Sequence, residues 1–238
     1  MYFKVSKKEF YNALSVASRA ISTFSPLPAF SGIKIDAKED CLILTGSDSD
    51  VSIQTKLTKS EECVLEIRDM GSIVIEAKYI LEIVRKIDAD EIEFEMIDGS
   101  LTKISGNTAE FRINGMRANE YPAIDFSKPK ECFALKEETL KKVILQTSFA
   151  TSDKETRPVL TGVNFHCEGN TLHCVATDSY RLAKKTIDIS ESLNFNITIP
   201  AKSLSEVVKH WKVKERWKLQ SMIKKRSLSF MTQSYRRD

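Results

Sequence analysis

The sequence predicts an α+β fold made of two copies of one unit, each with two helices packed on antiparallel sheets. Three observations predict it. An internal repeat recurs at a spacing of 130 residues. Helical and strand periodicities alternate in the same order in both halves. Short turns typical of hairpins join the strands, which favours antiparallel pairing. A chain of 238 residues is long enough for two such domains.

The repeat is clearest in "PLPAFSGIKI" (26–35) and "TRPVLTGVNF" (156–165). Residues 3–53 align on 133–183 without a gap and share nine identical residues, where chance gives roughly three. The identical pairs are Phe3/Phe133, Ser18/Ser148, Ala20/Ala150, Ser22/Ser152, Pro28/Pro158, Gly32/Gly162, Leu42/Leu172, Asp48/Asp178 and Ser49/Ser179. The match indicates two copies of one structural unit.

The first helix is predicted after Ser6, which together with Glu9 has the spacing of a capping box. Apolar residues then recur at helical spacing. They are Phe10, Ala13, Leu14, Ala17 and Ile21. After Pro28 the pattern changes to the alternation of strands, with a turn at Glu39-Asp40.

A second helix is predicted in "EAKYILEIVRKI" (76–87), whose apolar stripe is Ile80, Ile83, Val84 and Ile87. A ladder of strands follows, with turns predicted at Asp98-Gly99 and Gly106-Asn107.

The second half repeats this plan. Its helix stripes are Leu140, Val143, Ile144 and Thr147, then Leu204, Val207, Val208 and Trp211. Two prolines and polar residues in "YPAIDFSKPKEC" (121–132) interrupt both periodicities. We therefore expect one domain over 1–124 and a second over 131–238, which diverges from the repeat after about residue 210.

Composition indicates a soluble cytoplasmic protein. Hydrophobic residues make up 42% of the chain and charged residues 29%. The N-terminus lacks the apolar run of a secretion signal, and no window is apolar enough to span a membrane. The five cysteines have no framework spacing, so we expect reduced thiols.

Charge is unevenly distributed along the chain. Residues 209–238 hold ten Lys/Arg and two Asp/Glu, a net charge of +8, and the other 208 residues carry −5. A basic tail can bind nucleic acid by neutralising phosphates. It can also be the drifted or frameshifted end of a coding sequence, which is the interpretation we prefer.

Other sites are less well supported by the sequence. "HCEGNTLHC" (166–174) suggests zinc, but a turn at Gly169-Asn170 would place both histidines on one strand face and both cysteines on the other. Four ligands could not then surround one ion. "DSD" (48–50) has no partner acid or histidine, so a turn role is expected for Asp48. The sequence contains neither a phosphate-binding glycine loop nor a catalytic histidine motif.

Seven segments of the sequence resemble one known family. They are "FKVSKKEF", "LPAFSGIKI", "LTGSDSDVSI", "EAKYILEIVRKI", "ETRPVLTGVNF", "VATDSYRLA" and "IPAKSLSEVV". In this order, from residue 1 to about 210, they resemble the bacterial sliding clamps, the beta subunits of DNA polymerase III. The resemblance implies the DNA clamp fold, in which domains join head to tail in a ring around duplex DNA.

The resemblance also implies a function. A clamp is a processivity factor that tethers the replicative polymerase to duplex DNA without reading its sequence. It is a non-catalytic accessory subunit of a DNA-directed DNA polymerase, a nucleotidyltransferase holoenzyme, and needs no cofactor or metal. The implied partners are double-stranded DNA, the replicative polymerase and the clamp loader, whose peptide tails bind a groove, and further copies of the chain.

One departure from the family concerns length. Family members have three domains and close a ring as dimers, whereas this sequence contains fewer than two complete domains. We therefore expect a truncated clamp that lacks the third domain. Three alternatives stay open: a clamp that closes as three two-domain chains, a fragment without clamp activity, and an enzyme with an unrecognised site.

The candidate DNA-binding residues are Lys78, Arg85, Lys154, Lys202, Pro158, Val159 and Phe24. Lys78 and Lys154 match a basic and a polar DNA contact of the family, and Arg85 and Lys202 extend the positive charge on predicted helices. Pro158 and Val159 stand where some clamps place aromatic rings against single-stranded DNA. Phe24 replaces an arginine that touches the duplex, so one phosphate contact is expected to be missing.

The resemblance implies half of a partner-peptide groove in the second domain. Its residues are Arg157, Leu160, Thr177, Ser179, Tyr180, Arg181 and Leu182. The leucines would form an apolar wall, and the arginines would donate hydrogen bonds to the peptide. An oligomer edge is implied at Phe111 and Ile113, where an uncovered strand favours self-association.

Overall fold

The computed structural model describes most of the chain, which divides into two units, Met1–Asp125 and Phe126–Asp238. The described residues are 1–21, 27–48, 51–126, 132–154, 156–210, 217–224 and 227–234. For 132–134, 137, 209–210, 217–224 and 227–234 only the backbone is described. The predictions for Phe24, Asp50 and Trp211 lie outside the described residues.

Unit 1 contains two helices and ten strands within its described residues. In chain order they are β1 (Tyr2–Ser6), α1 (Lys7–Ala17), β2 (Gly32–Ala37), β3 (Cys41–Ser47), β4 (Ser52–Thr58), β5 (Leu65–Asp69), β6 (Gly71–Glu76), α2 (Ala77–Lys86), β7 (Glu91–Asp98), β8 (Leu101–Gly106), β9 (Ala109–Asn114) and β10 (Met116–Arg117). They form two five-stranded sheets, ordered β5-β1-β7-β8-β9 and β10-β6-β2-β3-β4. All pairings are antiparallel, which confirms the predicted α+β class.

The core of unit 1 joins both sheets to the apolar stripes of both helices. α1 buries the predicted Phe10, Ala13, Leu14 and Ala17, and α2 buries Ala77, Ile80 and Val84. The Phe3 ring stacks on Phe94 with ring centroids 4.7 Å apart and meets Phe10 edge-on at 5.8 Å. The two helices also contact each other. Lys8 of α1 and Lys78 and Arg85 of α2 are exposed, so the polar stripes face the outside of the unit.

Two local predictions need correction. Ser6 precedes α1, but its hydroxyl accepts a hydrogen bond from the Val64 N–H at 2.8 Å and caps no helical N–H. The capping box is therefore wrong, because Val64 engages both polar groups of Ser6: its N–H donates to the hydroxyl, and its carbonyl oxygen accepts from the Ser6 N–H at 3.0 Å. The two turns after β7 and β8 begin one residue later than predicted, at Gly99 and Asn107, which adopt positive φ values of 41° and 48°.

Unit 2 contains two helices and five strands within its described residues. They are β11 (Cys132–Ala134), α3 (Glu137–Thr147), β12 (Gly162–Thr177), β13 (Leu182–Pro200), α4 (Ala201–His210), β14 (Trp217–Lys224) and β15 (Ser227–Ser234). β12 pairs with β13, and the other strands form a sheet ordered β11-β14-β15. The core gathers Leu140, Val143, Ile144, Leu204 and Val208 from the two helices against β12 and β13.

The long strand β12 doubles back on itself. His166 and His173 are seven residues apart, which is about 23 Å along a straight strand, yet their ring centroids lie 6.4 Å apart. The register with β13 shifts between Gly169 and Thr171, and Gly169 has a φ of 61°. The predicted turn at Gly169-Asn170 is therefore confirmed. Cys167 and Cys174 are both fully buried on the opposite face, also as predicted.

The sequence repeat corresponds to a repeated turn. A 3-10 turn over Pro28–Ser31 leads into β2 at Gly32, and a matching one over Pro158–Thr161 leads into β12 at Gly162. A Cβ atom at Gly32 would lie 2.6 Å from a methyl carbon of Val74, and one at Gly162 would lie 2.5 Å from the Ile199 carbonyl oxygen. Neither position has room for a side chain, which explains why both copies carry glycine.

We expect the substitution Gly162→Ala to destabilise unit 2 by about 1–3 kcal/mol, because the added methyl group would displace the Ile199 backbone. Urea denaturation followed by circular dichroism measures the free energy of unfolding. Glu168→Ala is the matched control, since this exposed residue of β12 should change stability by less than about 0.5 kcal/mol. Equal stabilities of the two variants would contradict the steric argument.

Candidate nucleic-acid interface and partner-peptide groove

Basic side chains occupy the polar stripes of the helices in unit 1. Lys78 and Arg85 are exposed on α2, opposite the buried Ile80 and Val84. The Lys78 ammonium lies 5.9 Å from the centroid of the neighbouring Tyr79 ring. Arg85 lies 3.7 Å from the Glu82 carboxylate, and both side chains are more than half exposed, so the pairing is weak. Both cations can therefore reach an external anion.

A groove of about 460 Å³ between α1 and α2 is lined by further charged side chains. Its charged lining residues are Lys7, Lys8, Arg85, Asp88 and Asp90. Lys7 donates to the Ile87 carbonyl oxygen through its ammonium group and to the Asp90 carbonyl through its backbone N–H. These bonds fix the start of α1 against the end of α2. Basic groups outnumber acidic ones in the lining, which suits a phosphate contact.

The helices of unit 2 also expose lysines on one side and bury leucines on the other. Lys142 on α3 and Lys202 on α4 are exposed, while Leu140 and Leu204 of the same helices are buried. Lys154 is exposed in the loop after α3, where its backbone N–H donates to Ser152 Oγ at 3.1 Å. Within each unit, the described lysine-bearing helices therefore present their cations to solvent and are not covered by the sheets.

The turn between β12 and β13 is fixed by one carboxylate. Asp178 Oδ1 accepts hydrogen bonds from the backbone N–H groups of Tyr180 and Arg181 at 3.0 and 2.9 Å, and Oδ2 accepts one from Arg181 Nε at 2.9 Å. The backbone N–H groups of Arg181 and Tyr180, followed by the guanidinium charge, lower the pKa of Asp178. The carboxylate is therefore ionised when it fixes the turn.

The other polar groove residues also serve this turn. The Thr177 hydroxyl donates to the Arg181 carbonyl oxygen at 2.7 Å and accepts from the Ser179 N–H at 3.2 Å. Ser179 adopts a φ of 79°, a left-handed conformation that is uncommon for serine. Thr177 and Ser179 thus stabilise the backbone of the turn. The Nε–H group of Arg181 is already bonded to Asp178. The remaining guanidinium N–H groups of Arg181 are the ones that could meet a peptide.

Large apolar side chains are exposed around this turn. Tyr180 is 97% exposed, Leu182 67%, Val159 66% and Phe149 59%. Phe149 was not among the predicted groove residues, yet its ring lies 5.7 Å from the Arg181 guanidinium carbon. The sequence repeat could have indicated this residue. Phe149 stands between the identical pairs Ser18/Ser148 and Ala20/Ala150, but it is aligned with Arg19 of the first copy.

Backbone geometry brings the two predicted leucines to one end of the sheet. Because β12 doubles back, its ends at Gly162 and Thr177 lie side by side, and Thr177 pairs with Leu182 of β13. Leu160 is half-buried just before Gly162, and Leu182 stands exposed. Arg157 is exposed three residues before Leu160. The predicted residues thus form one neighbourhood of unit 2, with apolar and cationic groups mixed.

The predicted oligomer edge lies on β9. This strand ends its sheet and pairs only with β8 among the described residues. Phe111 is 37% exposed, but Ile113 is half-buried and packs against the core of unit 1. Ile113 therefore belongs partly to its own unit. Glu110 pairs with Arg112 across 2.9 Å, so charges flank the exposed ring.

Groups for covalent or metal chemistry are sparse in the described part of the chain. No cluster of three or more His, Cys, Asp or Glu side chains there is placed to hold a metal ion. Burial raises the pKa of Cys174 to about 12 and also raises those of Cys63 and Cys167, so these thiols remain protonated and unreactive. None of the described helices is both long enough and apolar enough to cross a membrane.

Comparison with known proteins gives the same family for both units. The family model for the N-terminal domain of the DNA polymerase III beta subunit matches residues 1–125, and that for its central domain matches residues 134–236. The beta sliding clamp of Halalkalibacterium halodurans is 40% identical over 215 residues, which cover 88% of this chain and 57% of that protein.

Solved structures agree on the fold. The DNA polymerase sliding clamp of Bacillus subtilis superposes with a TM-score of 0.91 at 35% identity, covering 97% of this chain and 62% of that one. The beta subunit from DNA polymerase of Streptococcus pyogenes gives a TM-score of 0.91 at 27% identity, covering 98% and 62%. The chain thus spans about three fifths of the length of the relatives that it matches.

We expect Asp178→Ala to loosen the turn that carries Tyr180 and Arg181, since it removes three hydrogen bonds, one of which is also the ion pair with Arg181. Trypsin cleavage after Arg181, quantified by mass spectrometry, should become several times faster because proteolysis follows local opening. Asp188→Ala, at an exposed position of β13, should cleave like the unaltered chain. An unchanged rate for Asp178→Ala would show that the carboxylate does not hold the turn.

Proposed function

The chain belongs to the DNA polymerase III beta subunit family, the beta sliding clamps, and on this premise we propose that it holds duplex DNA without sequence preference and tethers a replicative polymerase. In this role it is an accessory subunit that makes and breaks no bonds, and nucleotide transfer is carried out by the polymerase. The observation that carries the proposal is that the helices of each unit, taken separately, expose Lys and Arg side chains on a clamp fold.

The physical basis of such binding is electrostatic. Duplex DNA is densely charged, and cations that reach its phosphates release condensed counterions. Contacts to phosphates position a protein but carry no sequence information. A protein that must move along DNA therefore needs cations such as Lys78 and Lys202 and must avoid hydrogen bonds to base edges. Lysine suits this task because its ammonium group is a flexible point charge.

The second proposed activity is the capture of peptide tails from the polymerase and the clamp loader. The exposed Leu182 and half-buried Leu160 would bury apolar peptide side chains, while Arg157 and Arg181 would attract an acidic group. The Asp178 turn supports this assignment because it holds Arg181 in place before any peptide arrives. A groove that is already ordered loses less conformational entropy when a peptide binds.

We further propose that copies of the chain associate through the β9 edge. Within the described residues β9 pairs on one side only, and an end strand of this kind with the exposed Phe111 is suited to pairing with another strand. Closure of several domains into a ring would let the protein encircle DNA. Size-exclusion chromatography with light scattering at several concentrations tests this association, and a single monomer peak at high concentration would argue against it.

We expect the substitutions Lys78→Ala and Lys202→Ala each to weaken binding to duplex DNA equally for unrelated sequences. Fluorescence anisotropy with two labelled duplexes, measured over a salt series, gives the slope of log affinity against log salt. Each substitution should reduce the magnitude of that slope by about 0.9, the value for one lost phosphate contact. Lys56→Ala, an exposed lysine of β4, is the control and should leave the slope unchanged. Variants that all match the unaltered chain would refute the helix assignment.

We expect Leu182→Glu to weaken peptide binding roughly tenfold, which corresponds to about 1.4 kcal/mol of lost apolar contact. The probe is a fluorescent peptide that carries leucine, phenylalanine and one aspartate, and the readout is its polarisation. Leu27→Glu places the same charge on an exposed leucine of unit 1 and should bind normally. If the peptide bound neither the unaltered chain nor the control, this half of the groove would be insufficient by itself.

A further inference from the structure

An aromatic ring lies against one of the arginines of the candidate peptide groove. The centroid of the Phe149 ring is 5.7 Å from the Arg181 guanidinium carbon, within the range of a cation–π contact. Phe149 is 59% exposed and the Arg181 side chain 57%, so neither belongs to the core of unit 2. The contact is therefore a feature of the surface, beside the residues proposed to bind a peptide.

The fold fixes the backbone that carries this ring. Phe149 is the middle residue of a 3-10 turn, Ser148–Ala150, whose last residue is fully buried. Two residues beyond this turn, the Ser152 N–H donates a hydrogen bond to the Leu160 carbonyl oxygen at 2.8 Å. This bond ties the segment after α3 to the turn that holds the groove residue Leu160. The place from which the ring extends is thus set before any ligand binds.

Two contacts restrict the Arg181 guanidinium. Asp178 Oδ2 accepts its Nε–H group at 2.9 Å, and the Phe149 ring covers the group from another side. The bonds to Asp178 use the backbone N–H and Nε of Arg181, so the two terminal Nη groups are not needed to hold the turn. An arginine side chain loses much rotamer freedom when it binds a ligand, and a side chain that is already restricted loses less.

We propose that Phe149 is a positioning residue, which holds the Arg181 guanidinium so that its two Nη groups donate a pair of hydrogen bonds to one carboxylate of the bound peptide. The proposal rests on the peptide capture proposed above and adds to it the chemical class of the ligand group. The two oxygens of a carboxylate match two parallel guanidinium N–H groups, whereas an amide has one acceptor oxygen. The groove therefore selects Asp, Glu or a free C-terminus over Asn and Gln.

The first test compares two fluorescent peptides that carry leucine and phenylalanine and differ only in one aspartate or asparagine. The unaltered full chain should bind the aspartate peptide about tenfold more tightly. Phe149→Leu keeps an apolar side chain but removes the ring. It should weaken the aspartate peptide about two- to fivefold and leave the asparagine peptide unchanged, and Phe149→Tyr should restore binding. Leu145→Ala, at an exposed position four residues earlier on α3, is the control and should leave the ratio of the two affinities unchanged.

Arg181→Gln tests whether the selectivity depends on the guanidinium. This variant should bind both peptides equally, and adding Phe149→Leu to it should not change the ratio of affinities further. A preference for the aspartate peptide that survives in Arg181→Gln would overturn the proposal. So would a Phe149→Leu variant that weakens both peptides equally, because the ring would then supply only apolar contact.

A measurement without peptide separates this proposal from the peptide capture on which it rests. In the free chain, the ring current of Phe149 should displace the NMR signal of the Arg181 Nε–H group, which the loss of that signal in Arg181→Lys identifies. Phe149→Leu should move the signal and speed its exchange with water, whereas Leu145→Ala should not. A signal that is the same in Phe149→Leu and the unaltered chain would overturn the positioning role. If the signal moves but neither peptide binds the unaltered chain, the peptide capture fails and the positioning of Arg181 stands.

Discussion

Burial of one apolar stripe on each helix is the constraint on which the rest of the structure depends. In unit 1, Leu14 and Ile80 are fully buried, and in unit 2 Leu140 and Leu204 are buried in the same way. A helix that buries one stripe must turn the opposite stripe to solvent. The charged residues of that stripe are consequently displayed. In each unit, the candidate DNA-binding residues thus lie on the side of the helices that faces away from that unit's hydrophobic core, and their orientation follows from packing.

The two units share one turn but use it differently. Asp48 and Asp178 are identical in the repeat, and both accept backbone N–H groups: Asp48 from Val51 at 2.8 Å, Asp178 from Tyr180 and Arg181. In the second copy the carboxylate also binds the Arg181 side chain, beside exposed apolar groups. An aspartate that accepts backbone N–H groups thus occurs in both copies, and in unit 2 it supports a candidate binding groove.

The sheet faces show a similar division between core and surface. The exposed face of β12 carries His166 and His173, while Cys167 and Cys174 point into the core. Because strands alternate their side chains, four potential metal ligands within nine residues were separated into two pairs. The pair in the core has raised thiol pKa values and is inert. The pair on the outer face, His166 and His173, is half-buried and keeps its rings stacked on each other.

Much of the fold could be predicted from the residues alone, because periodicity reflects burial directly. The stripe from Phe10 to Ala17, the turn at Gly169-Asn170 and the two-helix plan of each unit are all properties of local spacing. The resemblance to sliding clamps also rested on short segments such as "TRPVLTG". Local sequence therefore determined the class, the repeat and the helices that carry positive charge.

Other features were decided only by tertiary contacts. Ser6 exchanges two hydrogen bonds with Val64, which is distant in sequence, and does not cap its own helix. Phe149 joins the groove neighbourhood through Arg181, and Ile113 packs into its own core. The need for glycine at Gly162 comes from a carbonyl on β13, far away in sequence. Such partners meet only when the chain has folded, because sequence spacing determines which face a side chain takes and packing determines what lies against it.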